Sequence, residues 1–228
     1  MIALSGLVVL PPCSQAQEKP REAGAPPEIS AAASVYKPPL RGAPRGRIGG
    51  GTRGVGSDTI VLSVLAPDHA GLTASDQPSL YWSISTATSY PVELTIMDPR
   101  RIEPVLETRL PGPIEAGLHR VRLADHGVRL DPDVAYRWYV AVVVDPDRRA
   151  KDVLAGGVIE RVTASPQLLQ RVAQARGEQV PAIYAADGLW YDALTAASDL
   201  VDAAPADPVR RQQRDALLRE VGLSEVRQ

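Results

Sequence analysis

The chain has 228 residues, 44% of them apolar and 23% charged, enough for one ordinary domain with an appendage. A formal net charge of −2 excludes the strongly basic surface on which general nucleic-acid binding depends. Phenylalanine is absent, so Leu, Val, Ile and the Tyr and Trp residues must fill the core.

Residues 1–16 are expected to be a signal peptide. An apolar run from Ile2 to Leu10 precedes the small-x-small triplet Ser14-Gln15-Ala16, which places cleavage before Gln17. The run is too short to span a bilayer, so no integral membrane span is expected once the signal is removed. No Lys or Arg precedes it, which leaves the start site open but not the export. Cys13, the single cysteine, falls in the removed part. The mature chain is therefore expected to carry no disulfide, no thiol nucleophile and no cysteine metal site. It has enough residues to stand without staples.

Residues 17–40 are rich in Pro and Ala and show no apolar period, as expected of an extended tether. Its end, Tyr36-Lys37-Pro38-Pro39, has the make-up of a segment that docks in a groove, although a plain spacer suits the composition as well. Residues 41–57 form an Arg/Gly-rich collar that reads RGAPRGRIGGGTRG from Arg41 to Gly54. Gly49-x-Gly51-x-x-Gly54 matches the dinucleotide fingerprint only formally, because a Pro-rich tether precedes it and a β-rich run follows. Two readings remain open. Either the glycines turn tightly while Arg41, Arg45, Arg47 and Arg53 pair with carboxylates or water, or these arginines make an anion-recognition patch.

From Asp58 the pattern changes. Seven β-rich runs are predicted, at 59–65, 79–84, 92–97, 105–110, 118–123, 136–144 and 153–162. Turn signals such as Asp76-Gln77-Pro78 and Asp145-Pro146 separate them. Within VELTIMD, Val92, Leu94 and Ile96 fall on one face. Alternation with frequent turns over 58–163 predicts a β-sandwich. Leu130-x-Pro132-x-x-x-Tyr136 resembles the tyrosine corner of fibronectin type III domains, in which the Tyr hydroxyl bonds back to the turn backbone. Trp82, Tyr136 and Trp138 are expected in the core.

Over 164–228 the period becomes helical. Ser165 caps a helix that opens on Pro166 and carries Leu168, Leu169, Val172 and Ala175 as its stripe. A second helix spans 180–187 and stops at Gly188. A third spans 189–203, and a fourth starts at Asp207-Pro208 and ends before Gly222. Tyr184, Gly188, Trp190, Ala193 and Pro205 have tetratricopeptide spacing, but only one copy is present. A lone unit must pack on the flanking helices, the sandwich or a partner. Trp190 and Tyr191 are adjacent at a helix start, so one of them is expected to be exposed as an anchor for a partner.

No reaction centre is legible. His69, His119 and His126 lack metal-ligand spacing. DPDRRAKD reads as a hairpin turn, since its arginines oppose a cation. Asp187 and Asp192 flank an inter-helix turn and read as solvated. No cofactor, metal site or catalytic residue is assigned.

The segments PPLRGAPRGRIGGGTRG, LAPDHAGLT, PSLYWSIS, YRWYVAVVVDPDRRAKD, GGVIERV, IYAADGLWYDAL and LLREVGL together resemble the bacterial domain-of-unknown-function 928 family. The likeness runs from about Tyr36 to Leu223. It implies a Gram-negative envelope setting, periplasmic or secreted, and brings no activity with it. The expected protein is mainly β with an α tail: an immunoglobulin or fibronectin type III-like sandwich followed by a small tetratricopeptide-like helical region. Its expected role is a non-catalytic interaction module for an envelope protein partner, using Arg41, Arg45, Arg47, Arg53, Trp190 and Tyr191. The alternatives are a carbohydrate or envelope-polymer binding module, marked by an exposed aromatic row, and a hydrolase, marked by His119 or His126 beside two carboxylates. Oligomeric state is left open.

Overall fold

The computed structural model describes residues 35–39, 47–48, 52–55 and 58–223. The signal peptide, most of the tether, Arg41 and Arg45 lie outside the described residues. Nine strands are described: β1 (Thr52–Val55), β2 (Asp58–Val64), β3 (Gly71–Thr73), β4 (Ser79–Ile84), β5 (Val92–Met97), β6 (Leu106–Leu110), β7 (Gly117–Arg122), β8 (Ala135–Val142) and β9 (Val153–Arg161). Four helices follow: α1 (Pro166–Gln174), α2 (Val180–Ala186), α3 (Trp190–Ala203) and α4 (Pro208–Glu220). Among the described residues, no helix is long and apolar enough to cross a membrane.

The strands form two sheets, ordered β1-β2-β4-β7 and β3-β9-β8-β5-β6. All pairings are antiparallel except that of β3 with β9. The expected mainly β body with a helical tail is thus observed, and the seven anticipated strands lie where the alternation put them. Val92, Leu94 and Ile96 are buried, and the residues between them are half-buried. Two strands were not anticipated. β3 has three residues, too few to display a period. β1 lies inside the stretch read as a collar, so the first sheet begins at Thr52 and not at Asp58. Just before it, Ile48 exchanges backbone hydrogen bonds with Gly156 of β9 (2.8 and 3.4 Å). Ile48 thus bonds to the second sheet and Thr52–Val55 to the first.

At the β7–β8 corner, the Tyr136 hydroxyl accepts a hydrogen bond from the Asp131 amide at 3.0 Å. Trp82 and Trp138 are buried between the sheets. Every residue of β4 is buried, which a two-layer sandwich does not explain. Its inner face (Leu80, Trp82, Ile84) enters the core, and its outer face lies under α3, where Tyr81 faces Thr195 and Ser198. The helices thus make a third layer. Trp190, Tyr191, Leu217 and Leu218 join the same hydrophobic cluster as Leu62, Leu94 and Trp138. Sandwich and tail share one core, which is how a single helical pair buries its apolar face.

Helix boundaries follow their caps. Ser165 Oγ accepts from the Leu168 amide (3.1 Å) and an Asp207 carboxylate oxygen from the Val209 amide (2.9 Å). Pro166 and Pro208 sit at the first helical positions, where no backbone donor is needed. Gly188 and Gly222 end α2 and α4 at φ of +76° and +74°.

Candidate functional site

The first residues of α3 form the seam between tail and sandwich. Trp190 and Tyr191 are both fully buried, which corrects the expectation that one of them is exposed. Consecutive helical side chains diverge by roughly 100°, and here that whole arc lies inside protein. Trp190 Nε1 donates to the Leu65 carbonyl beyond β2 (2.8 Å). The Tyr191 hydroxyl donates to the Val158 carbonyl of β9 (3.1 Å) and accepts from Trp138 Nε1 of β8 (2.9 Å). Burial pushes the Tyr191 phenol pKa up, so it remains a donor. These rings hold the tail to both sheets and are not available to a partner.

A strap crosses the same seam. Tyr36, at the tether's end, is buried. Its ring stacks on His69 (5.8 Å, 11°) and meets the Trp190 ring edge-on (5.2 Å, 73°). Its hydroxyl is 2.8 Å from His69 Nε2, its amide donates to Glu220, and the Lys37 amide donates to the Ala185 carbonyl (3.0 Å). Burial lowers the His69 pKa, and the neighbouring Asp68 works against that shift. Arg47 clasps the next turn. Its guanidinium pairs with Asp68 (2.8 Å) and donates to the Val221 and Ala66 carbonyls (3.2 and 3.4 Å). Arg53 lies on β1 opposite Ile60, and only its backbone position is described. Arg47 is thus the one collar arginine whose side chain lies among the described residues.

Gly188 serves the strap twice. It holds a left-handed φ, and a Cβ there would lie 2.7 Å from the Lys37 carbonyl oxygen. Gly188→Ala is expected to lower the unfolding free energy by about 2–3 kcal/mol, combining left-handed strain with a displaced backbone. Denaturant titration measures the loss. Chymotryptic cleavage after Tyr36 should accelerate in parallel, and unchanged values in both assays would contradict this close packing.

Beside the seam lies a cleft of about 340 Å³. One wall is a stripe of α3, Asp192, Thr195 and Asp199. The loop from Thr73 to Pro78, Ser79, Arg120, Arg122 and Tyr184 also line the cleft. Neither His119 nor His126 is among its lining residues. His119 instead stacks on Trp82 at 4.4 Å. Among the described residues, no group of three or more His, Cys, Asp or Glu side chains could hold a metal ion.

The cleft's charges are arranged unevenly. Arg120 donates to Ser79 Oγ (2.9 Å), pairs with Asp199 and lies 5.5 Å from the Tyr81 ring centre. Asp192 has only neutral donors: the Ala74 amide (3.0 Å), the Thr73 hydroxyl and the Ser75 amide. Burial pushes its pKa up to about 6, and those hydrogen bonds partly offset the rise. Arg122, an exposed residue at the end of β7, has no acidic partner among the described residues. The reading of Asp192 as solvated is thus corrected, while Asp187 pairs with Arg171 at the surface. The spacing of 192, 195 and 199 marks one polar helix stripe. Only the position of the strand loop makes it a wall.

Asp192 carries a pH signature. Its folded pKa lies above the usual 3.8, so its contribution to stability is full below pH 3.8 and is lost as pH rises through about 6. Between pH 4 and 7 the unfolding free energy should fall by on the order of 2–3 kcal/mol more in the natural chain than in Asp192→Asn. Parallel pH profiles from denaturant titration would show that the carboxyl is not held in this way.

The model of the family described as Domain of Unknown Function (DUF928) matches residues 48–228. No curated protein matches the chain.

Proposed function

The chain belongs to the DUF928 family, and from that premise we propose that it is a non-catalytic interaction module of the cell envelope, periplasmic or secreted, that uses the cleft as its contact site. The cleft carries this reading: polar side chains from the sandwich and the tail converge there around open space. Of its two carboxylates, Asp199 is held by Arg120 and Asp192 by backbone and hydroxyl donors. That arrangement suits recognition better than proton transfer, which needs a group free to exchange its proton with a bound molecule. Of the collar arginines, Arg47 is engaged at the seam.

Finer features of the fold support a module of this kind. β2, β4 and β7 lie in the order of strands A, B and E of a fibronectin type III-like sandwich. β6, β5, β8 and β9 follow the order C′, C, F and G, and Tyr136 makes the corner bond at the start of the F-like strand. The α2–α3 hairpin, with Gly188 at its turn and Ala193 fully buried, fits a single tetratricopeptide-like unit docked on that sandwich. Such scaffolds host many activities, so the cleft and not the fold carries the function. The aromatic row expected of a carbohydrate platform is reduced, among the described residues, to Tyr90.

In-cell crosslinking from the envelope fraction tests the reading. A protein captured by the natural chain should be lost with Arg122→Glu and kept with Arg137→Glu, a charge reversal at an exposed position outside the cleft lining. Equal capture by all three would remove the cleft from the interaction.

A further inference from the structure

The cleft holds two opposite charges, and among the described residues neither has an oppositely charged partner. Asp192 projects from α3 and is satisfied by the Thr73–Ser75 backbone and a hydroxyl, with no cation among its hydrogen-bonding partners. Arg122 lies opposite Ser79 in the β4–β7 register, at the far end of the loop that begins at those donors. Arg120, the other cation of the cleft, already pairs with Asp199 and lies within 3.9 Å of Asp202. A ligand carrying one charge would meet a single complement and leave the other unanswered. A ligand carrying both would meet each at its own end. The lining also includes the hydroxyl-bearing Thr195 and Ser75 and the aromatic ring of Tyr184.

We propose that the cleft binds a small zwitterion, a free amino acid or a short peptide with unblocked ends, its ammonium donating to Asp192 and its carboxylate accepting from Arg122. The inference rests on the cleft being the recognition site and adds the chemistry of what enters it. A volume of about 340 Å³ is near the small end of the range for ligand pockets. That limits the guest to a few residues and excludes a folded partner from the interior. Charge-assisted hydrogen bonds at both ends give the selectivity, since blocking either end of the guest removes one of them. Ammonium binding also stabilises the Asp192 carboxylate, so the ligand should bind more tightly as pH rises from 5 to 7.

Calorimetric titration of the full chain with alanine, alanyl-alanine and tri-alanine tests this. At least one should bind at pH 7, and its N-acetylated and C-amidated forms should each bind about tenfold or more weakly. Arg122→Ala should abolish the difference between the free and amidated forms. Asp192→Asn should abolish the difference between the free and acetylated forms. Arg122 is exposed and without a pairing role among the described residues, so its variant keeps the test valid should Asp192→Asn fold poorly. Absence of binding by all three at about 10 mM, or equal binding of free and blocked forms, overturns the proposal. Should the crosslinked protein still be lost with Arg122→Glu in that case, the cleft remains a contact site and only the zwitterion is refuted. Should the peptides bind while crosslinking is unaffected, the cleft serves a small ligand and not a protein partner.

Discussion

Replacing Trp190 with alanine is expected to lower the unfolding free energy by about 3–5 kcal/mol, the range for truncating a fully buried tryptophan. Three consequences add up at this position. The indole has no exposed surface, so its removal opens a cavity at the point where the tail meets the sandwich. The Leu65 carbonyl loses its donor in a dry site. The Tyr36 ring loses its edge-on partner, so the strap loosens as well. Chemical denaturation followed by far-UV circular dichroism checks the magnitude. Because one core serves both parts, the loss should appear as a single shifted transition. A tail that melts separately while the sandwich keeps its full stability would contradict the shared core.

Tyr191→Phe removes one oxygen and leaves the ring in place, yet the expected loss is about 2–4 kcal/mol. The hydroxyl is both acceptor for Trp138 Nε1 and donor to the Val158 carbonyl, and both partners are buried. Phenylalanine fills the same space but leaves an indole N–H and a carbonyl without partners. The same substitution at an exposed tyrosine, Tyr90→Phe, should change stability by less than about 0.5 kcal/mol. Similar losses for the two variants would mean that the Tyr191 hydroxyl bridges nothing. Gly71 makes a complementary point, since a Cβ there would come within 2.6 Å of the Tyr191 ring. β3 approaches α3 so closely because that position has no side chain.

Much of the local structure was legible because it depends on neighbours in sequence. Alternation located β5, since a strand with one buried face must repeat every second residue. Ser165-Pro166 and Asp207-Pro208 located two helix starts, because a cap is satisfied within one turn. Leu130-x-Pro132-x-x-x-Tyr136 located the corner bond, which spans five residues. β1 and β3 were missed for the converse reason. β1 is glycine-bearing and β3 has three residues, and each is a strand only because β2 or β9 supplies the pairing.

The candidate site was less legible. Arg47, Trp190 and Tyr191 were singled out as contact residues on composition, since arginine and large aromatics serve interfaces well. The interface they serve is internal. Sequence cannot distinguish an aromatic that anchors a partner from one that anchors a tail to its own sandwich, because burial energy is the same in both cases. Asp192 read as solvated because a carboxylate after an inter-helix turn usually is. Its burial follows from the Thr73–Ser75 loop, more than a hundred residues earlier, closing over it with backbone donors.

The sequence by itself determined seven of the nine described strands, the four helices, two helix caps, the corner and the family. These are consequences of short-range periodicity and local hydrogen bonding. The tertiary structure decided that α3 covers the outer face of β4 while Trp190 and Tyr191 at its start bond to both sheets. It also decided that Tyr36 straps the seam and that Arg122 and Asp192, far apart in the chain, share one cleft. The physical reason is that burial and charge pairing depend on distance in space. Composition can name the groups capable of them, but only the packed chain says which of those groups meet.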